Sequence, residues 1–261
     1  MMNLTMIGCI IQARTGSTRL PGKTMKKLNE IDTVLSFGIN QVKSSKTIEK
    51  IVIATTDLHE DDLIFDYMEK LNIPCFRGKS KDVLDRYYQC AKKFDLSTIV
   101  RITSDCPLID PLIIDDVVSY FLKNNKFDYV SNVHPVTTYP DGTDVEIFSF
   151  KTLEKAWNEA KKPSEREHVT PYIYNSKKFI LGNIKNSNDL SNLRWTVDHK
   201  EDLDLIKEIV DKIPKRPILM SDVIDLFSKF PHLQNINKDI KPNEGYLESL
   251  KEDEEFLKSR N

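Results

Sequence analysis

The sequence predicts an α/β fold with a mainly parallel sheet, and two observations support this. Short runs rich in β-branched residues alternate with amphipathic stretches, which is the pattern of parallel strands joined by helical crossovers. The chain has 261 residues, enough to bury the core of one large domain. Strands are expected at 8–11, 50–54, 98–102, 129–133, 144–148, 179–184 and 194–197, and helices at 33–43, 61–71, 82–94, 111–124, 151–160, 165–174, 200–212 and 221–227.

Two of the expected helices have well-marked beginnings. Asp110 is followed by Pro111, and this pair favours a helix start because aspartate caps a helix and proline fits its first turn. Residues 164–167 read Ser-Glu-Arg-Glu, which fits a capping box and predicts a second start at Ser164.

The domain organisation follows from where the alternation of strands and helices holds. The alternation predicts a main domain over residues 1–230. Within this domain, residues 135–195 interrupt the alternation and are expected to form a smaller region over the sheet. The polar tail, residues 231–261, is expected to contain a linker at 238–243 and a charged helix at 246–258.

The net charge of -2 gives no general attraction to nucleic acid or to an anionic membrane, so we expect neither as a partner. The four cysteines form no CxxC pair, which favours buried thiols in a reducing cytoplasm over disulfides or a zinc site. No signal peptide and no run long enough to span a bilayer is recognised. A soluble, cytoplasmic protein is expected.

Residues 12–23 follow the first expected strand and place three cations and two glycines in one turn. Glycines let the backbone approach phosphate oxygens, while arginine and lysine neutralise their charge. This composition predicts a triphosphate-binding loop whose cations are Arg14, Arg19 and Lys23. Composition alone also leaves open a polar strand-to-helix loop without a ligand.

The same loop differs from a Walker A motif. Five residues, one of them Pro21, separate Gly16 from Gly22, whereas the Walker A motif has four residues between its glycines. The P-loop NTPase class is therefore excluded.

Several longer motifs carry a family resemblance. The segment IIQARTGSTRLPGK, residues 10–23, resembles the opening of the nucleotidyltransferase superfamily. The motifs that follow it in order are FRG at 76–78, DVLDRY at 82–87, VRITSDCPLIDP at 100–111, YPDGTDVE at 139–146 and REHVTP at 166–171. Together they resemble the spore-coat polysaccharide biosynthesis (SpsF-type) branch of the cytidylyltransferases, relatives of CMP-sialate and CMP-Kdo synthetases.

The resemblance implies a Rossmann-like, GT-A-like nucleotidyltransferase fold with a mixed, mainly parallel sheet and a small acceptor-binding and dimerisation subdomain at 135–195. It implies transfer of CMP from CTP to an acidic sugar, sugar phosphate or related acceptor, with release of pyrophosphate, for surface polysaccharide or glycoconjugate biosynthesis. The catalytic residues would be Arg14, Lys23 and Asp105. The expected nucleotide-binding residues are Ala13, Arg14, Gly16, Ser17, Arg19, Lys23, Arg77, Gly78 and Ser104.

A magnesium ion is the expected cofactor. Asp105 follows an apolar run and so lies at the carboxyl end of a strand, where open α/β sheets bind ligands. Its alternative role is that of a turn residue before Pro107, and the resemblance favours metal binding. Asp198 matches the late aspartate of the family and is the second expected ligand, although it could instead cap the following helix. His199 stands where the family usually has threonine or serine.

The acceptor side rests mainly on the resemblance. Asp141, Asp144 and Glu146 are candidates for binding sugar hydroxyls or an amine, although some of them could simply be solvated. Arg166 and His168 lie near an expected helix start, which favours anions, and are candidates for binding the acceptor's carboxylate or phosphate. A purely structural role for His168 stays open. The resemblance also implies a homodimer that pairs through residues 135–195.

Two other functional classes are weighed against this one. GT-A glycosyltransferases share the fold but usually carry an Asp-x-Asp metal motif, which is missing around Asp105. The basic first loop also suits a triphosphate better than a diphosphate sugar. A non-catalytic nucleotide-sensing module is disfavoured because phosphate-binding cations and metal-binding carboxylates are both expected.

Overall fold

The structure, a computed structural model, describes residues 6–241 and 244–259. Its centre is a seven-stranded sheet in the order β3-β2-β1-β4-β6-β5-β7. Within the sheet, β6 runs antiparallel to β4 and β5, and the other pairings are parallel. The strands are β1 (Ile7–Gln12), β2 (Lys50–Thr56), β3 (Cys75–Gly78), β4 (Thr98–Thr103), β5 (Tyr129–Ser131), β6 (Glu146–Ser149) and β7 (Leu181–Asn183).

Helices cover both faces of this sheet. The α-helices are α1 (Val34–Val42), α2 (Asp62–Lys70), α3 (Val83–Lys93), α4 (Pro111–Lys123), α5 (Phe150–Glu159), α6 (Pro163–His168), α7 (Pro171–Asn175), α8 (Lys200–Lys212), α9 (Met220–Lys229) and α10 (Glu244–Lys258). None of the helices in the described ranges is long and apolar enough to cross a membrane.

The core shows how alternation along the strands separates the two faces. In β1, Cys9 and Ile11 pack on the face covered by α1, α2 and α4, whereas Ile10 packs on the face covered by α3, α5 and α7. A strand buried on both faces reads as a continuous apolar run, which explains the sequence of β1. A further apolar cluster around Trp195 joins α8 and α9 to the outside of α1.

Two strand predictions differ from the structure. Residues 194–197 form a single bridge between Asp141 and Arg194 rather than a strand, because their amides bond to loops: Trp195 N donates to Asp141 O and Val197 N donates to Asp105 O. Conversely, the short edge strand β3 was not predicted. Its four residues are all partly exposed, so they show no alternation.

The helix expected at 165–174 is interrupted. It forms two helices, α6 and α7, because Val169 takes a left-handed conformation with a φ of 71° and Pro171 starts the second helix. The capping box predicted at Ser164 is also wrong. Glu165 accepts the amide of Lys162, which is the residue before α6, and Ser164 bonds to Asp253 instead.

The cap predicted at Asp110 is confirmed, since its carboxylate accepts the amide of Leu112 at 2.7 Å. Residues 135–195 contribute β6 and β7 to the central sheet, so they are continuous with its core. The charged helix expected at 246–258 is present as α10, which lies against α6. The linker expected at 238–243 lies partly outside the described residues.

Candidate active site

The connections of β1 and β4 create a crevice at one edge of the sheet. From β1 the chain moves to β2 on one side and later returns to β4 on the other side. Where connections diverge in this way, the carboxyl ends of the neighbouring strands leave room for a ligand. The basic first loop leaves β1 at this edge, and Asp105 follows β4 by two residues.

Four charged side chains meet in the crevice. Lys23 Nζ lies 2.6 Å from Asp105 Oδ2 and 2.9 Å from Asp198 Oδ1. Arg19 binds the other oxygen of Asp198 through Nη2 at 2.6 Å and Nε at 2.7 Å. Three segments that are distant in sequence, namely the first loop, the end of β4 and the segment before α8, therefore converge on one point.

The charge states of this group are mutually dependent. Burial alone would raise the pKa of Asp105, but the Lys23 charge and hydrogen bonds from Lys23 and Thr103 lower that pKa to about 2. Burial likewise opposes ionisation of Asp198, and hydrogen bonds and charge from Arg19 and Lys23 lower its pKa. Both carboxylates are therefore anionic at neutral pH.

The carboxylates of Asp105 and Asp198 fit a divalent cation. Their oxygens already converge on one positive charge, the ammonium of Lys23, and carboxylate oxygens are the ligands that Mg²⁺ takes. In the described part of the chain, no group of three or more His, Cys, Asp or Glu side chains is placed to hold a metal. The pair suits an ion that completes its shell with phosphate and water oxygens.

The alternative role of Asp198 as a helix cap is not seen. The amides of Asp198 and His199 both donate to Asp202, whose buried carboxylate closes the beginning of α8. The side chain of Asp198 is consequently free to face Arg19 and Lys23. His199 Nε2 lies 3.1 Å from Glu244 Oε2, so this departure from the family pattern contacts α10.

A residue that sequence reasoning missed holds the first loop in place. Asp61 is fully buried, and its Oδ1 accepts hydrogen bonds from Thr15 N at 2.6 Å and Thr15 Oγ1 at 2.7 Å. Its other oxygen accepts from Thr56 at the end of β2. Gly22 takes a φ of 65° and donates its amide to Thr15 O, which turns the chain so that Lys23 points back into the crevice.

The remaining residues predicted to bind nucleotide have more varied environments. Ala13 N donates to Ala54 O, and Ser104 N donates to Gln12 O, which ties the loops at the ends of β1 and β4 to the sheet. Arg14 is about half exposed and lies 3.7 Å from Glu167. The side chain of Ser17 accepts the amide of Leu20 within the loop.

Arg77 and its neighbour Gly78 end β3, which is separated from β1 by β2. The guanidinium of Arg77 donates to the carbonyls of Thr56 and Leu58 and pairs with Asp62 at 2.5 Å. Arg77 therefore fixes the loop after β2. Gly78 lies so close to Arg86 that a Cβ atom there would be 3.1 Å from its Cγ.

The carboxylates predicted for the acceptor side differ in their partners. Asp141 binds Arg194 at 2.6 Å, and Glu146 binds Arg101 and accepts from Tyr129 Oη at 2.6 Å. Within residues 6–241 and 244–259, no hydrogen bond or ion pair reaches the carboxyl of Asp144. Burial raises the pKa of Asp144, and the neighbouring carboxylates Asp141 and Glu146 raise it further.

The side chains of Arg166 and His168 contact different parts of the structure. Arg166 forms a two-point contact with Asp82, through Nε at 3.0 Å and Nη2 at 2.6 Å, and its Nη1 donates to Trp157 O. These contacts fasten α6 to the beginning of α3 and to α5. His168 faces α10, where its Nε2 lies 2.9 Å from Ser249 Oγ. No signal in the sequence indicated that the C-terminal helix α10 contacts His168.

Comparison with known proteins agrees with this geometry. A sequence model of the family described as Cytidylyltransferase matches residues 8–247. The chain is 40% identical over 235 residues to the uncharacterized protein MJ1063 of Methanocaldococcus jannaschii, covering 89% of this chain and 94% of that protein.

Two further similarities carry more specific names. The spore coat polysaccharide biosynthesis protein SpsF of Bacillus subtilis is 31% identical over 232 residues, which is 85% of this chain and 94% of that protein. A cytidylyltransferase from Leptospira borgpetersenii serovar Hardjo-bovis superimposes with a TM-score of 0.85 at 36% identity, covering 91% of this chain and 99% of that one. The fold and family predicted from the motifs are thereby confirmed. The chain belongs to the cytidylyltransferase family, whose members are CTP-dependent nucleotidyltransferases.

Proposed function

We propose that this cytidylyltransferase transfers CMP from CTP to an acidic sugar or a sugar phosphate used for surface polysaccharide or glycoconjugate synthesis. The observation that carries the proposal is the sharing of Lys23 between Asp105 and Asp198 at the carboxyl edge of the sheet. This arrangement brings a phosphate-binding cation and two metal-binding carboxylates to one point. Such a site suits the transfer of a phosphoryl-type group from a triphosphate.

In the proposed reaction, an acceptor oxygen attacks the α-phosphorus of CTP in line. A new P–O bond forms, the bond between the α-phosphorus and the bridging oxygen breaks, and pyrophosphate leaves with the electron pair. When the attacking oxygen belongs to a hydroxyl group, its proton is released to solvent. Arg14, Arg19 and Lys23 neutralise the negative charge of the β- and γ-phosphates and of the leaving pyrophosphate. The amides around Gly16 and Ser17 support the same phosphates.

Mg²⁺ is proposed as the cofactor, held by Asp105 and Asp198. When bound, it would withdraw charge from the α-phosphate and make the phosphorus more electrophilic. Both carboxylates are anionic at neutral pH, so they are in the form that binds a cation. Thr103 donates to Asp105 Oδ1 at 2.5 Å and orients that carboxylate.

On the acceptor side, the geometry favours Asp144 and His168 over the other candidates. The carboxyl of Asp144 is available for a sugar hydroxyl, whereas Asp141 and Glu146 are already paired with arginines. We therefore propose that Asp141 and Glu146 shape the pocket and that Asp144 contacts the acceptor. Arg166 is occupied by Asp82, which supports a structural role better than direct binding.

The homodimer is also a proposal, and residues 135–195 are the region proposed for its contact. Four aromatic residues of this region are buried in the core of the single chain, namely Tyr139, Phe148, Tyr172 and Trp195. Val136 and Ile180 are exposed apolar residues that remain available for a two-fold interface.

The deciding experiment measures pyrophosphate release from CTP and Mg²⁺ with a panel of acidic sugars and sugar phosphates. We expect release that depends on one acceptor class, is lost in Asp105→Asn and is retained in Asp116→Asn, a matched change on the exposed face of α4. Release from ATP or GTP in preference to CTP, or CTP turnover without any acceptor dependence, would contradict the proposal.

A further inference from the structure

Helix α10 lies against the body of the protein with an unusually polar face. Ser249 and Asp253 are the residues of α10 that are buried in the described part of the chain, whereas Leu247, Leu250 and Leu257 are exposed. Amphipathic helices of globular proteins normally bury their apolar side. The most deeply buried side chains of α10 are therefore polar, and they are placed to form hydrogen bonds with particular groups.

The buried polar residues of α10 have specific partners on α6. Asp253 accepts from Ser164 N at 2.9 Å and Ser164 Oγ at 2.6 Å, which anchors the middle of α10. One turn earlier, Ser249 Oγ lies 2.9 Å from His168 Nε2 and 2.9 Å from Glu167 Oε2. The anchor therefore places a hydroxyl group between an imidazole and a carboxylate.

The chemistry of this trio determines which ring nitrogen of His168 carries the proton. The Ser249 hydroxyl has one proton and three acceptors within reach, namely Glu167 Oε2, Gly245 O at 3.1 Å and the imidazole. The carboxylate is the strongest of these acceptors because it is charged. If the hydroxyl donates to Glu167, its oxygen lone pair accepts from His168, and the imidazole proton must be on Nε2.

The remaining nitrogen is then a hydrogen-bond acceptor. Within the described ranges, Nδ1 of His168 has no hydrogen-bond partner. Burial lowers the pKa of His168. The charge of Glu167 opposes this shift, whereas the charges of Arg101 and Arg14 add to it, and the pKa stays below its ordinary value. The ring is therefore neutral at neutral pH. The ring of Tyr246 meets the imidazole edge to face at 5.2 Å and limits its rotation.

We propose that Ser249, together with Glu167, is a positioning residue that fixes His168 with its proton on Nε2 and its Nδ1 free to accept a hydrogen bond from an acceptor hydroxyl. This inference rests on the acceptor site proposed above and makes α10 part of that site. It also specifies what His168 recognises. A neutral imidazole with a free lone pair accepts from a hydroxyl and does not bind a carboxylate or phosphate.

The first test needs no acceptor. Long-range ¹H–¹⁵N spectra of the full-length chain at pH 7.5 report the imidazole tautomer, and we expect the Nε2–H form of His168 in wild type. Ser249→Ala should shift these signals toward a tautomer mixture, whereas Ser249→Thr, which keeps the hydroxyl, should retain the wild-type form. Ser259→Ala, a matched change beyond the end of α10, should leave the spectrum unchanged.

The second test uses the acidic sugar or sugar phosphate that supports pyrophosphate release in the panel. We expect Ser249→Ala to raise the KM for that acceptor by about tenfold, the size expected for one lost hydrogen bond, with the KM for CTP unchanged. A wild-type ring with its proton on Nδ1, or equal effects of Ser249→Ala on both KM values, would overturn the inference. If wild type releases no pyrophosphate, the proposed function fails, while the NMR result still decides the role of Ser249.

Discussion

The ammonium group of Lys23 lies 2.6 Å from the carboxylate of Asp105, so the first loop and the end of β4 are joined by a direct charge pair. Lys23 is only 13% exposed and is shared with Asp198. Such a pair stabilises the crevice in the absence of ligand. If a divalent cation and a triphosphate bind there as proposed, Lys23 would have to exchange its carboxylate partners for phosphate oxygens.

Replacing Asp105 tests the proposed metal site. Asp105→Asn keeps the size of the side chain but removes a charge, so turnover should fall by at least about a hundredfold, within the range for loss of a catalytic electrostatic contact. Mg²⁺ binding in the presence of CTP, followed by calorimetry, should weaken in parallel. Unchanged turnover would remove Asp105 from the site, and Asp116→Asn controls for the loss of one negative charge.

Comparing Lys23→Ala with Arg14→Ala separates buried from exposed cations. Both should weaken CTP binding, measured by calorimetry. Lys23→Ala should also lower the free energy of unfolding by about 1–3 kcal/mol, because it leaves two carboxylates facing each other without their shared cation. Arg14 is about half exposed, so its removal should change that free energy by less than about 0.5 kcal/mol. Equal unfolding midpoints in urea for the two variants would contradict this account.

Glu244, on α10, lies near the cations expected to bind phosphate. Its carboxylate is 4.0 Å from Arg19 Nε and 3.1 Å from His199 Nε2. A negative charge here opposes a triphosphate, so Glu244→Gln should tighten CTP binding by about threefold at low salt, corresponding to less than about 1 kcal/mol. The effect should diminish at high salt. Glu255→Gln, on the exposed side of α10, should have no such effect, and weaker binding by Glu244→Gln would show that the carboxylate assists nucleotide binding.

Asp144 gives a pH-dependent prediction. Its pKa is raised in the folded protein, chiefly by burial, so its contribution to stability is complete below the ordinary value of 3.8 and is lost as the pH rises through the folded pKa. Asp144→Asn removes this loss and should raise the melting temperature at pH 8 relative to wild type, with a smaller difference at pH 4. The acceptor KM should increase at the same time. A lower melting temperature at pH 8 would indicate that the carboxylate is stabilised by its surroundings.

The four residues that meet in the crevice had all been singled out from the sequence, whereas the contacts of the predicted acceptor residues had not been predicted. Arg19, Lys23 and Asp105 follow β1 and β4, and parallel strands bring their carboxyl ends to one edge, so the convergence of these three residues was predictable. Asp198 follows a segment that is not a strand, and its place in the site was predicted from the family resemblance. Asp61 gave no such signal because a single aspartate before a helix is usually a cap. The position of α10 was not predictable either, since its pattern of leucines predicts burial of the side that is in fact exposed.

The family match ends at residue 247, early in α10, whereas Ser249 and Asp253 lie beyond it. The residues proposed to bind the nucleotide therefore lie within the matched part of the chain, whereas the polar residues of α10 that contact α6 lie after it. If α10 forms part of the acceptor site as proposed, exchanging the segment after residue 247 between relatives should change which acceptor the enzyme uses.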